Sequence, residues 1–236
     1  MKIALIGYGK MGRAIEEAAM QRNHEIIARF DSKHKLDEEI LELADVAIEF
    51  SRPELALDHI HACLENKIPV VVGTTGWYED LKEVEKASKK NKTGVFHATN
   101  FSLGVNLFFQ MNRKLAKLMN KHLEYAVKIE EIHHTQKLDA PSGTAITLAE
   151  HVIKKLDDKE TWVNHESQNP EELTIISKRI ENVPGTHTVS YTSAVDSIEV
   201  THTAFNRKGF AEGAVLAAEY LVGKTGIHTM DDLLKF

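Results

Sequence analysis

The chain has 236 residues, 42% of them hydrophobic and 27% charged, with a formal net charge of −6. That length can bury a core in one large domain or two modest ones, and the composition excludes disorder, collagen-like repeats and a disulfide scaffold. The acidic balance argues against non-specific nucleic-acid binding, which needs a basic face, and with Cys63 as the one cysteine no intrachain disulfide can form, as suits a reducing compartment. No stretch approaches the roughly 18 apolar residues of a membrane helix, and the opening "MKIALIGYGK" is broken by glycine too soon for a signal peptide. A soluble cytoplasmic protein with neither membrane nor nucleic acid as partner is expected.

Short apolar runs recur through the first part of the chain: "KIALIG" (2–7), "HEIIARF" (24–30), "ADVAIEF" (44–50), "IPVVVG" (68–73) and "GVFHATN" (94–100). Between them, Met11 to Arg22, Pro53 to Asn66 and Trp77 to Asn91 carry apolar residues at three- and four-residue steps, the spacing of amphipathic helices. Pro53 falls where a first helical turn tolerates proline. Nearly continuous apolar strands alternating with helices predict a Rossmann-like parallel sheet, covered on both faces.

In that frame "GYGKMG" places Gly7, Gly9 and Gly12 in GxGxxG spacing, directly after a strand and opening a helix. Glycine there permits a tight turn and lets a pyrophosphate approach the backbone, while the helix N-terminus offers N–H groups and positive dipole. A dinucleotide held by Gly7, Tyr8, Gly9, Lys10, Met11 and Gly12 is expected, with a purely structural glycine turn as the alternative. Asp31 ends the second strand, 19 residues beyond Gly12, where a carboxylate would bond the adenosine ribose hydroxyls and favour NADH. Lys10, Arg13, Lys33, His34 and Lys35 lie near enough to attract a ribose 2′-phosphate, so NADH and NADPH both stay open. The carboxyl ends of later strands are where ligands sit in open parallel sheets. They carry Phe50, Ser51 and Arg52, then Gly73, Thr74 and Thr75, then Ala98, Thr99, Asn100 and Phe101. These are candidate contacts to the dinucleotide; each group taken alone would be an ordinary turn.

After Asn100 the rhythm changes. A helix is expected from Gly104 to Lys121, then a strand in "LEYAVKIEEIHH" (123–134), a loop, a helix opening after Ser142, and a polar linker over 159–172. Three strand-like runs follow, "LTIISKRI", "GTHTVSYTSA" and "DSIEVTHTAF", giving an α+β half with a mixed or antiparallel sheet. A last helix over 209–226 is ended by glycine.

The stretch "EEIHHTQKLDAPSGTA" (130–145) raises three readings: metal site, acid/base cluster or polar surface. On a strand His133 and His134 point to opposite faces, so one ion could not readily take both, and no metal is expected. A histidine with Lys137 nearby suits holding an anion and delivering a proton. Ser142, Gly143 and Thr144 could present hydroxyls and N–H groups to a carboxylate at the start of the following helix. From the residues alone, histidines on an edge strand are more often surface. His187 and His202 could line the same pocket, and Arg207 could clamp a carboxylate or be a surface charge.

Together these segments, with "IGYGKMG", "EFSRPE", "GTTGW", "ATNFSLGVN" and "EVTHTAFNRKGFAEGA", make a chain that resembles the 4-hydroxy-tetrahydrodipicolinate reductase (dihydrodipicolinate reductase) family almost end to end. The resemblance implies hydride transfer from NADH or NADPH to a small cyclic dicarboxylate in lysine and diaminopimelate biosynthesis. It implies His133 as general acid/base, Lys137 assisting the proton transfer and binding substrate, and His134, Ser142, Gly143, Thr144 and Arg207 around the carboxylates. It further implies a homotetramer built through the second-domain sheet, with residues 1–101 and 208–236 as dinucleotide-binding domain and 102–207 as substrate-binding and oligomerisation domain. The chain departs from the pattern in being short around 157–172 and in lacking an arginine and a glycine in the 182–189 loop. Two other classes compete: a metal-dependent hydrolase using His133 or His134 with Asp139, His187 or His202, and a non-catalytic nucleotide sensor.

Overall fold

The computed structural model describes residues 1–206 and 208–235, which form two compact units. The first comprises residues 1–103 together with the described chain from Lys208 onward, and the second begins at Gly104.

In chain order the first unit holds β1 (Lys2–Ile6), α1 (Lys10–Gln21), β2 (Glu25–Phe30), α2 (Glu38–Leu41), β3 (Val46–Glu49), α3 (Pro53–Glu65), β4 (Val70–Val72), α4 (Leu81–Asn91) and β5 (Gly94–His97). The second unit follows with α5 (Leu103–Met119), β6 (Ala126–His133), α6 (Gly143–Ile153), β7 (Thr161–Val163), β8 (Glu172–Arg179), β9 (Gly185–Thr192) and β10 (Ser197–Ala204). The chain then rejoins the first unit through α7 (Lys208–Leu221), β11 (Gly226–His228) and α8 (Met230–Leu234).

The first sheet has six parallel strands in the order β11-β5-β4-β3-β1-β2. Alternation along its strands divides the core into two layers. Ile3, Leu5, Val46 and Ile48 pack with Ile15 and Ala19 of α1 and with Ala214 and Val215 of α7. Ala4, Ile6 and Ala47 face the other way, onto Leu41 of α2, Ala56 and Ile60 of α3 and Val84 of α4. Both faces are thus covered, which is why these strands are apolar throughout. Gly213 of α7 lies so close to the chain leaving β5 that a Cβ would stand 1.8 Å from the Phe101 carbonyl oxygen.

In the second sheet the order is β10-β9-β6-β8-β7. The β6–β8 and β8–β7 pairs are parallel, while β6–β9 and β9–β10 are antiparallel, so the sheet is mixed. Val127 and Ile129 of β6 turn inward onto Phe108 and Ala116 of α5 and Leu148 and Val152 of α6. On β9 and β10 the opposite face is lined with hydroxyls, among them the facing pairs Thr186/Thr203 and Thr188/Thr201. No described helix is long and apolar enough to cross a membrane.

Four short elements escaped the sequence reading. The segment expected as a polar linker contains β7, and beyond the last long helix the chain adds β11 as a sixth parallel strand before α8. The earliest of the four in the chain, α2, has four residues and starts on an Asp37 carboxylate that accepts the Glu39 amide. None is long enough to display a period.

Candidate active site

In the first unit, β1 delivers the chain to Gly7, whose φ of +96° is a conformation side chains avoid. A Cβ there would stand 2.2 Å from the Phe50 carbonyl oxygen, and one on Gly12 would stand 2.5 Å from the Gly7 carbonyl oxygen. A Cβ on Gly9 would meet nothing within 4 Å. The loop is therefore closed on its protein side and open at Gly9. Helix α1 starts there, with no acidic residue in its first turn and no side-chain cap. A pyrophosphate fits that arrangement, since the first-turn N–H groups are available to an anion and the dipole favours it.

At the ends of the neighbouring strands the Ser51 amide donates to the Thr74 hydroxyl at 2.8 Å, and Trp77 Nε1 donates to the Thr74 carbonyl at 2.9 Å. Phe50 turns its ring onto Gly73, where a Cβ would fall 2.1 Å from it, and packs against Phe101 at 5.5 Å between centroids. Asp31 Oδ1 accepts the amides of Lys33 and His34, each at 2.8 Å, and faces His34 Nδ1 at 3.1 Å. These contacts hold the Asp31 carboxyl below its usual range, backbone donation from His34 first. One oxygen therefore shapes its own turn, and Oδ2 carries no hydrogen bond among the described residues.

The second unit gathers a buried polar cluster. Along β6 the inward positions run Val127, Ile129, Glu131, His133, so a carboxylate and an imidazole end an otherwise apolar register. Glu131 is fully buried. Its Oε1 accepts the Ser142 amide at 3.2 Å and Arg179 Nη2 at 3.0 Å. Its Oε2 lies 2.6 Å from His133 Nδ1, an ion-pair contact whose N–H direction is off the line to the oxygen, and 3.9 Å from His187 Nε2. Burial alone would push the Glu131 carboxyl up, but contacts from His133, Ser142, Ser177 and Arg179 outweigh it and hold the group well below the ordinary carboxylate range. Glu131 is an anion.

His187, on β9, has its ring 4.9 Å from that of His133, and its Nε2 lies 3.0 Å from the Ser142 hydroxyl. Burial first, then the neighbouring His133, push the His187 imidazole down to about 3, so it is neutral at ordinary pH. Ser142 caps α6 by accepting the Ala145 amide at 3.2 Å. The amides of Gly143 and Thr144 thus sit at the positive end of an eleven-residue helix. Lys137, in the loop after β6, pairs with Asp139 at 2.9 Å.

Of the residues expected to act together, His133 and Ser142 share this cluster, and Lys137 joins through its backbone carbonyl, which accepts Arg179 Nε at 3.4 Å. His134 is half-buried, and its backbone carbonyl accepts the Lys137 amide at 3.1 Å. His202 stacks on Phe108 at 6.1 Å between centroids. Arg207 lies outside the described residues. Glu131, His133 and His187 bring ligand atoms within 4.8 Å of one another, a spacing an ion could use. The Arg179 cation already shares the same carboxylate, which weakens its pull on a divalent ion.

Family models for the dihydrodipicolinate reductase N-terminus and C-terminus match residues 1–101 and 104–234. The chain belongs to the dihydrodipicolinate reductase family. It is 51% identical to a 4-hydroxy-tetrahydrodipicolinate reductase of Christiangramia forsetii over 99% of this chain and 98% of that one. To the enzyme of that name from Neisseria gonorrhoeae it is 33% identical, over 99% and 97%. The first match spans 237 aligned residues and the second 264, so the shorter length of this member is shared with the Christiangramia protein. Among solved structures, dipicolinate-bound dihydrodipicolinate reductase from Paenisporosarcina sp. TG-14 has the same fold, with a TM-score of 0.77 at 24% identity over 97% of both chains. A probable dehydrogenase from Thermotoga maritima matches at a TM-score of 0.57 and 11% identity over 99% of this chain and 92% of that one. Membership makes the chain an oxidoreductase with a nicotinamide dinucleotide as cofactor, which the glycine loop fits.

Sequence reasoning missed Glu131, Arg179 and Gly185 as parts of the site. Glu131 had a visible signal, a charge in the inward register of β6. Arg179 had none, because its partner lies 48 residues away and the two strands are paired only by folding.

Proposed function

We propose that this chain reduces 4-hydroxy-tetrahydrodipicolinate, the cyclic dicarboxylate also called dihydrodipicolinate, to tetrahydrodipicolinate in lysine and diaminopimelate biosynthesis. The observation that carries this is the 51% identity to a reductase of that name along 99% of the chain. The dinucleotide supplies the hydride when bound.

The protein's part is to hold two carboxylates and deliver a proton. His133 is the proton donor, an imidazole held 2.6 Å from the buried Glu131 carboxylate and of the side-chain type suited to general acid work. Lys137 assists that transfer and binds substrate, while His134, Ser142, the α6 amides at Gly143 and Thr144, and Arg207 receive the carboxylates. The dinucleotide lies along Gly7 to Gly12, with Asp31 toward the ribose and Phe50 to Arg52, Gly73 to Thr75 and Ala98 to Phe101 toward the nicotinamide half. Either NADH or NADPH serves, because Asp31 Oδ2 suits ribose hydroxyls while Lys33, His34 and Lys35 supply positive charge beside it. The enzyme works in the cytoplasm as a homotetramer, joined through the hydroxyl-lined face of the second sheet.

His133→Ala is expected to lower kcat by about 10²–10⁴-fold while NADH titration by fluorescence gives an unchanged Kd. Unaltered turnover would remove His133 from the mechanism. The spacing of Glu131, His133 and His187 favours one second reading, metal-assisted hydrolysis. Activity that disappears on chelation and returns with a divalent ion would support it over the reductase.

A further inference from the structure

We propose that Glu131 is the positioning residue of the proton site: its carboxylate fixes His133 through Nδ1, leaving Nε2 as the nitrogen that exchanges a proton with substrate. This rests on His133 being the proton donor.

A carboxylate buried where Val127 and Ile129 set the pattern is costly unless every lone pair finds a partner. The two oxygens of Glu131 divide that task. Oε1 is fixed by a backbone amide, that of Ser142, and by the Arg179 guanidinium. Oε2 is left to the imidazoles, and only His133 comes close, at 2.6 Å against 3.9 Å for His187. An ionised carboxylate accepts and never donates, and a bare nitrogen at 2.6 Å would set lone pair against lone pair, so Nδ1 carries the hydrogen even though its N–H points off the line to the oxygen. When His133 is neutral the hydrogen therefore sits on Nδ1 and Nε2 is bare. When the ring is protonated, both nitrogens carry hydrogen and the carboxylate offsets the charge.

Two further contacts fit the role. A Cβ on Gly185 would stand 2.9 Å from His133 Nε2, so glycine at the start of β9 keeps side-chain bulk away from the exchanging nitrogen. Arg179 also donates to the Asp139 carbonyl at 2.6 Å and the Lys137 carbonyl at 3.4 Å. The guanidinium that steadies Glu131 thereby steadies the loop bearing Lys137, linking the orientation of both proton-handling residues to one side chain. His187 does not compete for the anion; it is neutral and occupied with the Ser142 hydroxyl.

The test is Glu131→Gln, which keeps the shape, removes the charge and turns an N–H donor toward His133. By analogy with carboxylate-to-amide changes at a serine-protease triad, kcat is expected to fall by about 10²–10⁴-fold, with substrate KM and dinucleotide Kd within about threefold. A kcat loss below about tenfold, or a loss accompanied by an equal loss of dinucleotide affinity, would overturn the proposal. Nitrogen-15 spectra of histidine-labelled wild-type protein, assigned by comparison with His133→Gln, give a readout that needs no stable Glu131 variant. Neutral His133 with hydrogen on Nδ1 supports the proposal, and hydrogen on Nε2 overturns it. His133→Ala separates the two levels: if it leaves turnover intact, the proton-donor reading falls, whereas an inactive His133→Ala beside a fully active Glu131→Gln removes only the positioning role.

Discussion

Gly7 and Gly9 stand two residues apart in one loop and are held to glycine by different constraints. At Gly7 both the positive φ and the 2.2 Å approach to Phe50 exclude a side chain, so Gly7→Ala should destabilise the fold itself. Backbone strain of about 1–3 kcal/mol, with overpacking added, should lower the thermal midpoint. At Gly9 a Cβ meets open space, and φ is an ordinary −88°. Gly9→Ala should therefore melt like the parent yet weaken dinucleotide binding about tenfold or more, ~1.4 kcal/mol, because the methyl enters the space the pyrophosphate needs. Calorimetry and fluorescence titration of the two variants would check the split, and equal effects on stability and binding would contradict it.

Among the elements, β6 and β9 carry a pH dependence whose sign follows from His187. The imidazole is lowered by burial from its ordinary 6.5 to about 3, so between those values the unfolded chain binds more protons than the folded one. Its stabilising contribution is present in full above pH 6.5 and is lost as pH falls toward 3. Glu131, also depressed, acts in the same direction in the window below its ordinary 4.5. Urea titrations followed by circular dichroism should give a lower midpoint at pH 5.5 than at pH 7.5, with His187 contributing at most ~1.4 kcal/mol per pH unit. His187→Gln should flatten that dependence; a parent protein stabilised by acid would contradict the sign. The same two strands show what could and could not be read beforehand. Long periodic segments such as α1, α3 and α5 were legible because burial of one face imposes a spacing. The alternation through β6 separated His133 from His134 but left open which of them turns inward; the strand expected at an edge is the middle one of five, which buries His133, and its inward register held the unread signal of Glu131. By contrast β7 and β11, at three residues each, have no period to read, and they form only because a neighbouring strand offers them an edge. Arg179 and Gly185 acquire meaning only when β8 and β9 are laid beside β6, which is tertiary information.

For the molecule as a whole, an acidic chain of net charge −6 that handles a dicarboxylate has to confine positive charge to where it is used. Lys137, Arg179 and the start of α6 do this in the second unit, and the start of α1 does it for the dinucleotide in the first. Each unit has its own apolar core, so each site rests on a scaffold that does not depend on the ligand to fold. The account as a whole is tested most directly by forming the dicarboxylate in situ from pyruvate and aspartate semialdehyde and following the loss of reduced-nicotinamide absorbance with NADH and with NADPH. Oxidation that requires the substrate, and that proceeds with both cofactors, is the predicted result. A purified, folded protein that oxidises neither would contradict it.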